Sequence, residues 1–339
     1  QPIGATPNQA VQANADAGSG GLDTRQLLIG LGLLVAGFLA LWKLLSFDVF
    51  GALIYSATFA MCVIVATDPS LTKVERDRII VIYVSAFFVI FFWAAFEQAG
   101  ASLTFFAEEQ THRGLFGATV PASYFQSVNA VSVVLLAPIT AAIWVALAKR
   151  KSEPNSLIKQ ALGLMILALG YVVIAIGVDG VGLGVRVSMF WLIALYVIHT
   201  IGELCLSPIG LSLVSKLSPM RFVSLLFGVW FLANAVANKA AGQLSGLYPP
   251  SGAEYKKAAD SGIDTETYRG LLEGSIQPTA EQTAIAAEKA IPLKYPVFLG
   301  NPIKDLYQFF MLFVAMSGIA GLILFGLSFP LKKMMHGAD

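Results

Sequence analysis

Four ionisable side chains lie inside long apolar stretches of the sequence, and these are Glu97, His199, Glu203 and Lys239. An ionisable group at membrane depth is costly and by default marks a proton, ion or substrate pathway. A lone carboxylic acid such as Glu97 can take up and release a proton there, although it can also be a structural group hydrogen-bonded to a neighbouring helix. Lys239 lies toward the end of its stretch, where a long side chain can reach the interface. Each of the two acids is therefore a candidate functional residue.

Polar groups surround Glu203. Ser207 follows one helical turn later, and Pro208 frees one backbone carbonyl. A carboxylate in such a setting can hold the ammonium group of a substrate. His199, one turn earlier, either shares the Glu203 proton or is a neutral histidine packed in the core.

Three further side chains are candidates for a binding pocket. Trp93 lies four residues before Glu97 and hence on the same helical face. Trp230 begins a row of amide side chains and either forms a pocket wall or packs between helices. Asn129 is either a donor to a ligand or a partner in a helix–helix hydrogen bond.

The elements that carry these residues are membrane helices. Hydrophobic residues make up 56% of the chain and charged residues 13%, whereas soluble domains have about 45–50% and about 25%. A membrane-spanning helix needs ~20 apolar residues in succession, and eight segments meet that length. They are 27–45, 49–67, 79–106, 122–148, 157–178, 187–215, 221–247 and 305–330. Strands of a membrane barrel would alternate apolar and polar residues, so the prediction is an all-α integral membrane protein.

The remaining composition excludes several classes of function. The three histidines, His112, His199 and His336, lack the spacing of metal ligands, so no metal site is predicted. The sequence lacks a stripe of basic residues, so it gives no indication of nucleic-acid binding. Cys62 and Cys205 fall inside apolar segments and are interpreted as small buried side chains. A membrane-embedded enzyme would need a nucleophile or a metal at the membrane face, and the scattered histidines argue against it.

The polar segments suggest an organisation and an orientation. Residues 1–26 begin with Gln and are rich in Ala, Gly, Asn and Gln, which indicates a flexible linker and suggests the second part of a longer protein. Lys and Arg are concentrated in alternate loops, which predicts that both ends of the chain, including the tail 331–339, are cytoplasmic. The long loop 248–304 would then be periplasmic. It is predicted to be irregular, with one short surface helix at 281–290.

Four motifs, taken in order, resemble one known family. They are Gly202-Glu203-Leu204 with Ser207-Pro208-Ile209-Gly210-Leu211 and Lys216-Leu217-Ser218-Pro219, Phe92-Trp93 with Glu97-Gln98, Gly228 with Trp230-Phe231-Leu232-Ala233, and Phe125-Gln126-Ser127-Val128-Asn129 with Ala137-Pro138. Together they resemble the C-terminal half of the proton-dependent oligopeptide transporters (POT/PTR), bacterial type, a branch of the major facilitator superfamily. Ala130 stands where the family usually has Pro, so the sequence departs from the pattern at that point.

The resemblance implies a domain organisation. Residues 27–67 look like the two extra inter-domain transmembrane helices of bacterial members, and 79–330 like the six-helix C-terminal bundle. The family's first-helix motif, Glu-x-x-Glu-Arg, is absent here. An N-terminal half of the same transporter is therefore implied as a partner.

The resemblance also implies roles for the substrate site. Glu203 and Asn129, with Ser207, would bind the amino terminus of a peptide. Trp93 and Trp230 would shape the pockets for its side chains. The implied substrates are di- and tripeptides.

Glu97 would be the proton-coupling residue of such a carrier. It would take the proton and pair with an Arg of the N-terminal half, so that protonation releases a gate. The expectation is proton-coupled symport across the bacterial inner membrane by alternating access, with protons as coupling ion, no cofactor and no enzyme activity. The alternative within transport is a carrier of nitrate or a glycoside. A non-transporting scaffold would instead leave uptake unchanged in Glu97→Gln and Glu203→Gln.

Overall fold

Apolar run length determines the architecture of the chain. The computed structural model describes residues 24–338, and in that part eight helices are long and apolar enough to cross a membrane, as predicted. One of these spans, Lys73–Glu109, contains both α3 and α4, and α9, α10 and α11 are too short to cross a membrane. The twelve α-helices of residues 24–338 are α1 Thr24–Leu39, α2 Val49–Ala66, α3 Lys73–Phe96, α4 Ser102–Glu109, α5 Gln126–Lys149, α6 Ser156–Val178, α7 Met189–Leu217, α8 Val223–Ser245, α9 Gly252–Ala259, α10 Thr265–Glu273, α11 Ala280–Glu288 and α12 Leu306–Met334. Of the predicted linker, residues 1–23 lie outside the described residues. Its last three residues are the first turn of α1, which corrects the boundary.

Short polar side chains fix where the helices begin. Thr72 and Glu75 form a capping box at the start of α3, and Asn155 accepts a hydrogen bond from the backbone N–H of Ile158 at the start of α6. These side chains satisfy amide groups that have no partner within the helix. The long helices therefore begin at defined residues just outside the apolar runs.

Helices α3, α5, α6, α7, α8 and α12 form one bundle. Helix α6 packs between α7 and α12, α3 packs on α8, and α5 rests mainly on α7. At the α6–α7 contact, a Cβ added to Gly202 would lie 2.8 Å from the carbonyl oxygen of Gly163. The two backbones therefore touch, as is common where membrane helices pack through small residues. Large buried side chains, including Tyr171 and Phe313, fill the space between α6 and α12.

The helix pair α1–α2 lies beside the bundle and is attached to it at both membrane faces. At one face Lys239 of α8 forms an ion pair with Asp48, the N-cap of α2, at 2.6 Å. At the other face Arg221 donates a hydrogen bond to the carbonyl oxygen of Ser70. Lys239 thus has a structural partner, which the sequence did not indicate.

The segment between α8 and α12 is folded, which corrects the prediction of an irregular loop. Helices α9, α10 and α11 surround their own apolar core, and only α11 matches the predicted surface helix. That core consists of Tyr255, Ala258, Ile263, Tyr268, Leu271, Leu272, Ala286 and Ile291. Ser251, Asp264 and Thr279 cap the three helices. The hydroxyl of Thr267 and nearby backbone amides lower the pKa of Asp264, so this cap is in its charged, accepting form near neutral pH.

Three short strand pairs complete the fold. β1 (Thr111–His112) pairs in parallel with β4 (Val187–Ser188). β2 (Gly114–Leu115) and β3 (Ala118–Thr119) form one hairpin, and β5 (Val297–Phe298) and β6 (Asn301–Pro302) form another. Both hairpins turn through an apolar residue followed by Gly, Phe116-Gly117 and Leu299-Gly300, and all four have positive φ.

Candidate functional site

The α-helical hydrogen bonding of α3 ends just before Glu97. Residues Glu97–Gly100 form a 3₁₀ turn, and α4 continues from Ser102. The predicted continuous helix over 79–106 is therefore wrong at this point. The side chain of Gln98 compensates, because its Nε2 donates to the carbonyl oxygens of Ala94 at 3.1 Å and of Ala241 at 3.0 Å. The turn is thus held to α8 while Glu97 is presented beside it.

The structure brings Glu203 and Asn129 together. Asn129 Nδ2 donates to Glu203 Oε2 at 2.9 Å and to Thr200 Oγ1 at 3.0 Å. Asn129 lies in the first turn of α5, and the other two residues lie one turn apart on α7. The amide therefore joins the two helices and leaves the second carboxylate oxygen of Glu203 without a hydrogen bond to the described residues.

Glu97 is half-buried and faces the same polar region. Within residues 24–338 its side chain makes no hydrogen bond and no ion pair. The carboxylate of Glu203 on α7 acts on it electrostatically. Two acids close together in a membrane protein repel each other when both are ionised. The pair therefore favours a cation, a proton or a substrate ammonium group, in the space between them.

Ser207 lies one turn beyond Glu203 on α7 and is half-buried. Pro208 lies within the same helix, which continues through it to Leu217. Glu203 and Ser207 therefore lie one turn apart on one continuous helix, while the predicted polar patch stays a prediction. The structure does not test the predicted contact of Ser207 with a peptide, so that role stays a prediction.

The two tryptophans differ in their surroundings. Trp93 is half-buried, and its ring centroid lies 5.5 Å from that of Phe92 and 5.2 Å from that of Phe96. Trp230 is 3% exposed, and a Cβ on Gly210 would lie 2.4 Å from its six-membered ring. Trp93 is thus available at the surface beside Glu97, whereas Trp230 packs between α7 and α8. Of the two alternatives for Trp230, its position favours packing.

His199 points away from Glu203 into the core. It is 2% exposed, and its ring centroid lies 4.8 Å from that of Tyr171 on α6. A Cβ on Gly170 would lie 2.4 Å from the imidazole Cδ2. The packed arrangement, and not the shared proton, is the one that the structure has.

Sequence reasoning did not single out three residues that support the site. Thr200 receives the second hydrogen bond of Asn129, Gln98 holds the turn at Glu97, and Tyr171 donates to the carbonyl oxygen of Ala95 at 2.7 Å. Thr200 lies between His199 and Glu203, which were both candidates, so its position could have indicated a polar neighbour of the site. Tyr171 lies in an otherwise apolar helix and carried no such signal.

The side chains of the site are of types that bind organic cations. No group of three or more His, Cys, Asp or Glu residues within 24–338 could hold a metal ion. Glu203 and Asn129 are hydrogen-bonded to each other, and Glu97 and Trp93 are half-buried, so these four side chains supply acidic, amide and aromatic surface. Such a surface suits an ammonium group attached to an apolar body.

Comparisons with known proteins identify relatives of the chain. The family model described as "PTR2: POT family" matches residues 47–257. The chain is 38% identical over 178 residues to the peptide transporter YePEPT of Yersinia enterocolitica subsp. palearctica, covering 52% of this chain and 35% of that protein. It is 32% identical over 183 residues to a di-/tripeptide transporter of Lactococcus lactis subsp. cremoris, covering 52% of this chain and 36% of that protein.

A solved structure has the same fold. A crystal structure of peptide transporter POT in complex with sulfate superposes with a TM-score of 0.64 at 26% sequence identity, covering 98% of this chain and 56% of that one. The chain spans about a third of the length of the curated relatives that it matches.

Proposed function

The chain belongs to the POT family, and on that premise we propose that it forms the part of a bacterial carrier that binds the amino terminus of di- and tripeptides and couples their movement to protons. The carrier is a multi-pass membrane protein and not an enzyme. Its relatives include proteins described as peptide and di-/tripeptide transporters. Transport by this chain requires the N-terminal half of the same transporter.

One observation carries the proposal: Asn129 orients one acid, Glu203, while a second acid, Glu97 at the end of α3, has no partner among the described residues. Glu203 is oriented by Asn129 through a 2.9 Å hydrogen bond, which leaves one of its oxygens for a peptide ammonium group. Glu97 lacks a hydrogen bond or an ion pair with any described residue. The roles divide accordingly, with Glu203 binding the substrate and Glu97 taking the proton.

Coupling follows from the electrostatics of Glu97. When it is ionised, an arginine of the N-terminal half attracts it and closes the gate. Protonation removes that attraction and permits the gate to open. The interruption of α3 at Glu97–Gly100 supports this role, because it gives the carboxylate a position at the end of one rigid helical segment. Alternating access is then a rocking of the two halves about the site.

The surface of α5 supports an additional helical partner. Of its 24 residues only Ser132 is buried within the described chain, although α5 carries Asn129. A helix that contributes to a binding site while exposing large apolar residues such as Val134 and Leu135 is suited to contact lipid on one side and a second bundle on another. The proposed location is the bacterial inner membrane, with both chain ends cytoplasmic, in agreement with the distribution of Lys and Arg.

The decisive experiment is uptake of a labelled dipeptide by the full-length protein in liposomes under an inward proton gradient. We expect uptake by the wild type, loss of gradient-driven uptake in Glu97→Gln, and survival of gradient-free exchange in that variant. Glu108→Gln is the matched control, because Glu108 is exposed on α4, close in sequence, and its loss should leave uptake unchanged.

Two outcomes contradict the proposal. Equal gradient-driven uptake by wild type and Glu97→Gln would remove the proton role from Glu97. If the wild type takes up no dipeptide under any gradient, the peptide assignment is wrong, and nitrate and glycosides become the next substrates to assay.

A further inference from the structure

The turn of the hairpin β5–β6 has a leucine, Leu299, at a position where leucine is unusual. Leu299 and Gly300 form a two-residue turn with φ of 47° and 84°, and turns with two positive φ values strongly prefer Asn-Gly or Asp-Gly. A leucine in this region is sterically unfavourable. Its side chain is also 85% exposed. Leu299 therefore has an energetically unfavourable backbone conformation and also exposes an apolar side chain. This combination suggests that the side chain contacts something outside the described chain.

The hairpin stands at the level of the lipid headgroups. Helix α12 begins a few residues later at Leu306 and has 29 residues, which at 1.5 Å each is about 44 Å. The hydrocarbon core of a bilayer is about 30 Å thick, and the bilayer with its headgroups about 40–45 Å. Lys332 and Lys333 mark the opposite end of α12. The first turn of α12, and with it the hairpin, therefore lies in the headgroup layer.

A groove of about 390 Å³ separates the hairpin from α12. It is lined by Phe298, Leu299, Asn301, Pro302, Ile303, Gln308 and Leu312. On α12, Gln308 and Leu312 belong to the helical face that continues through Ala315 to Ile319, which is 57% exposed. That face has the apolar, exposed side chains of a surface in contact with lipid. The groove thus opens onto a lipid-facing surface.

Lys304 follows Ile303 of the groove directly in the chain, and its backbone N–H donates to Gln308 Oε1 in the groove wall at 2.9 Å. Lys304 is exposed and forms no ion pair within the described chain, and it lies between the hairpin and α12. A lysine near a membrane surface attracts the phosphate of a lipid. The apolar groove and the lysine therefore match the two parts of one molecule, an acyl chain with its glycerol and a phosphate.

From these observations we propose that the groove between the hairpin β5–β6 and α12 binds a phospholipid of the adjacent leaflet. Leu299 inserts beside the acyl chain, and Lys304 faces the phosphate. The hairpin thereby anchors the junction between the α9–α11 segment and α12 in the membrane. The proposal does not depend on which substrate the carrier moves.

Site-directed spin labelling of the full-length protein in phospholipid vesicles tests this contact. A nitroxide is attached at Leu299→Cys after Cys62 and Cys205 are replaced by Ala, and its collisions with oxygen and with a water-soluble nickel chelate are compared. The matched control is Ala284→Cys, an exposed position on the polar helix α11. We expect the oxygen-to-nickel ratio at 299 to be several-fold higher than at 284. Equal ratios would overturn the proposal.

A second variant separates the loss of the lipid contact from a loss of folding. Asn accepts a positive φ readily, so Leu299→Asn should fold at least as well as the wild type while lacking the apolar side chain. Added phosphatidylglycerol should raise the Tm of the detergent-solubilised wild type more than that of Leu299→Asn or Lys304→Gln. An equal rise in all three proteins would contradict lipid binding in the groove.

Discussion

A single amide at residue 129 determines how the site is arranged before any ligand arrives. Because Asn129 holds one oxygen of Glu203 and also reaches Thr200, the carboxylate is oriented between α5 and α7 without a neutralising cation. Under the proposed function, an incoming ammonium group would meet an acceptor whose direction is already set, which would lower the cost of ordering on binding.

Trp230 provides a test at the residue scale, because its predicted pocket role and its observed packing lead to different results. A buried aromatic side chain replaced by Ala typically costs about 3–5 kcal/mol of stability. We therefore expect Trp230→Ala to lower the free energy of unfolding by about that amount and Trp93→Ala to lower it clearly less. The measurement is denaturant unfolding of the purified protein in micelles.

A larger loss of unfolding free energy in Trp93→Ala than in Trp230→Ala would contradict the packing of Trp230 against Gly210. Dipeptide affinity serves as the control readout, since Trp93, half-buried beside Glu97, should affect affinity more than stability.

The sequence could single out candidate residues for the site but not all of their contacts. The acids were recognisable because a charge in an apolar stretch is expensive. The partnership of Asn129 with Glu203 followed only from the family resemblance, since 74 residues separate them. The direction of His199 could not be predicted, because helical spacing places it one turn from Glu203, whereas packing against Gly170 turns the ring into the core.

At the scale of elements, the close contact of α6 with α7 is the feature most sensitive to substitution. A methyl group on Gly202 would lie 2.8 Å from the carbonyl oxygen of Gly163, which is too close for backbone atoms to tolerate. Gly202→Ala should therefore push the helices apart and lower the Tm, with a loss of about 1–3 kcal/mol typical of overpacking.

Gly242→Ala is the matched control for this prediction. Gly242 lies in α8, and a Cβ there would meet no atom within 4 Å. Alanine is the better helix former by about 0.5–1 kcal/mol, so this variant should equal or exceed the wild type in Tm. A drop in Tm as large as that of Gly202→Ala would show that the α6–α7 contact is not what limits stability.

The long helices were predictable and the short ones were not, for a physical reason. Some twenty apolar residues in lipid must be helical, so run length alone indicates a span. Helices α9 and α10 have eight and nine residues in a polar context. Their only sequence signals are caps such as Ser251 with Glu254, and their stability comes from aromatic contacts such as Tyr255 with Tyr268 at 4.8 Å, which are tertiary. The 3₁₀ turn at Glu97 was equally hidden, because the apolar pattern continues through it.

At the scale of the whole molecule, the attachment of α1–α2 to the bundle depends on charge. The hydrogen bond from Lys239 lowers the pKa of Asp48, with the backbone amide of Gly51 contributing. A lowered pKa means that the ion pair contributes stability at pH values above 3.8, the ordinary value, and loses it as the pH falls below 3.8. At neutral pH the contact is therefore fully formed.

Removing the lysine tests that attachment. Lys239→Ala should speed hydrogen exchange of the amides around Asp48 and Gly51 at neutral pH, by at most about fivefold because exposed ion pairs are weak. Lys43→Ala is the control, since Lys43 lies over the ring of Trp42 and has no ion pair with the bundle. Unchanged exchange in Lys239→Ala would mean that apolar packing alone holds α2 to α8.

Because Asp48 at the start of α2 pairs with α8 and Ser70 after α2 accepts a hydrogen bond from Arg221 just before α8, the helix pair α1–α2 is tied to this bundle at two points. A fluorophore on Leu31, which is 58% exposed on α1, would thus act as a remote reporter of how the bundle tilts. In the proposed carrier, a second dye on the N-terminal half would complete the pair, and the distance between the two dyes would report the tilt of one half against the other.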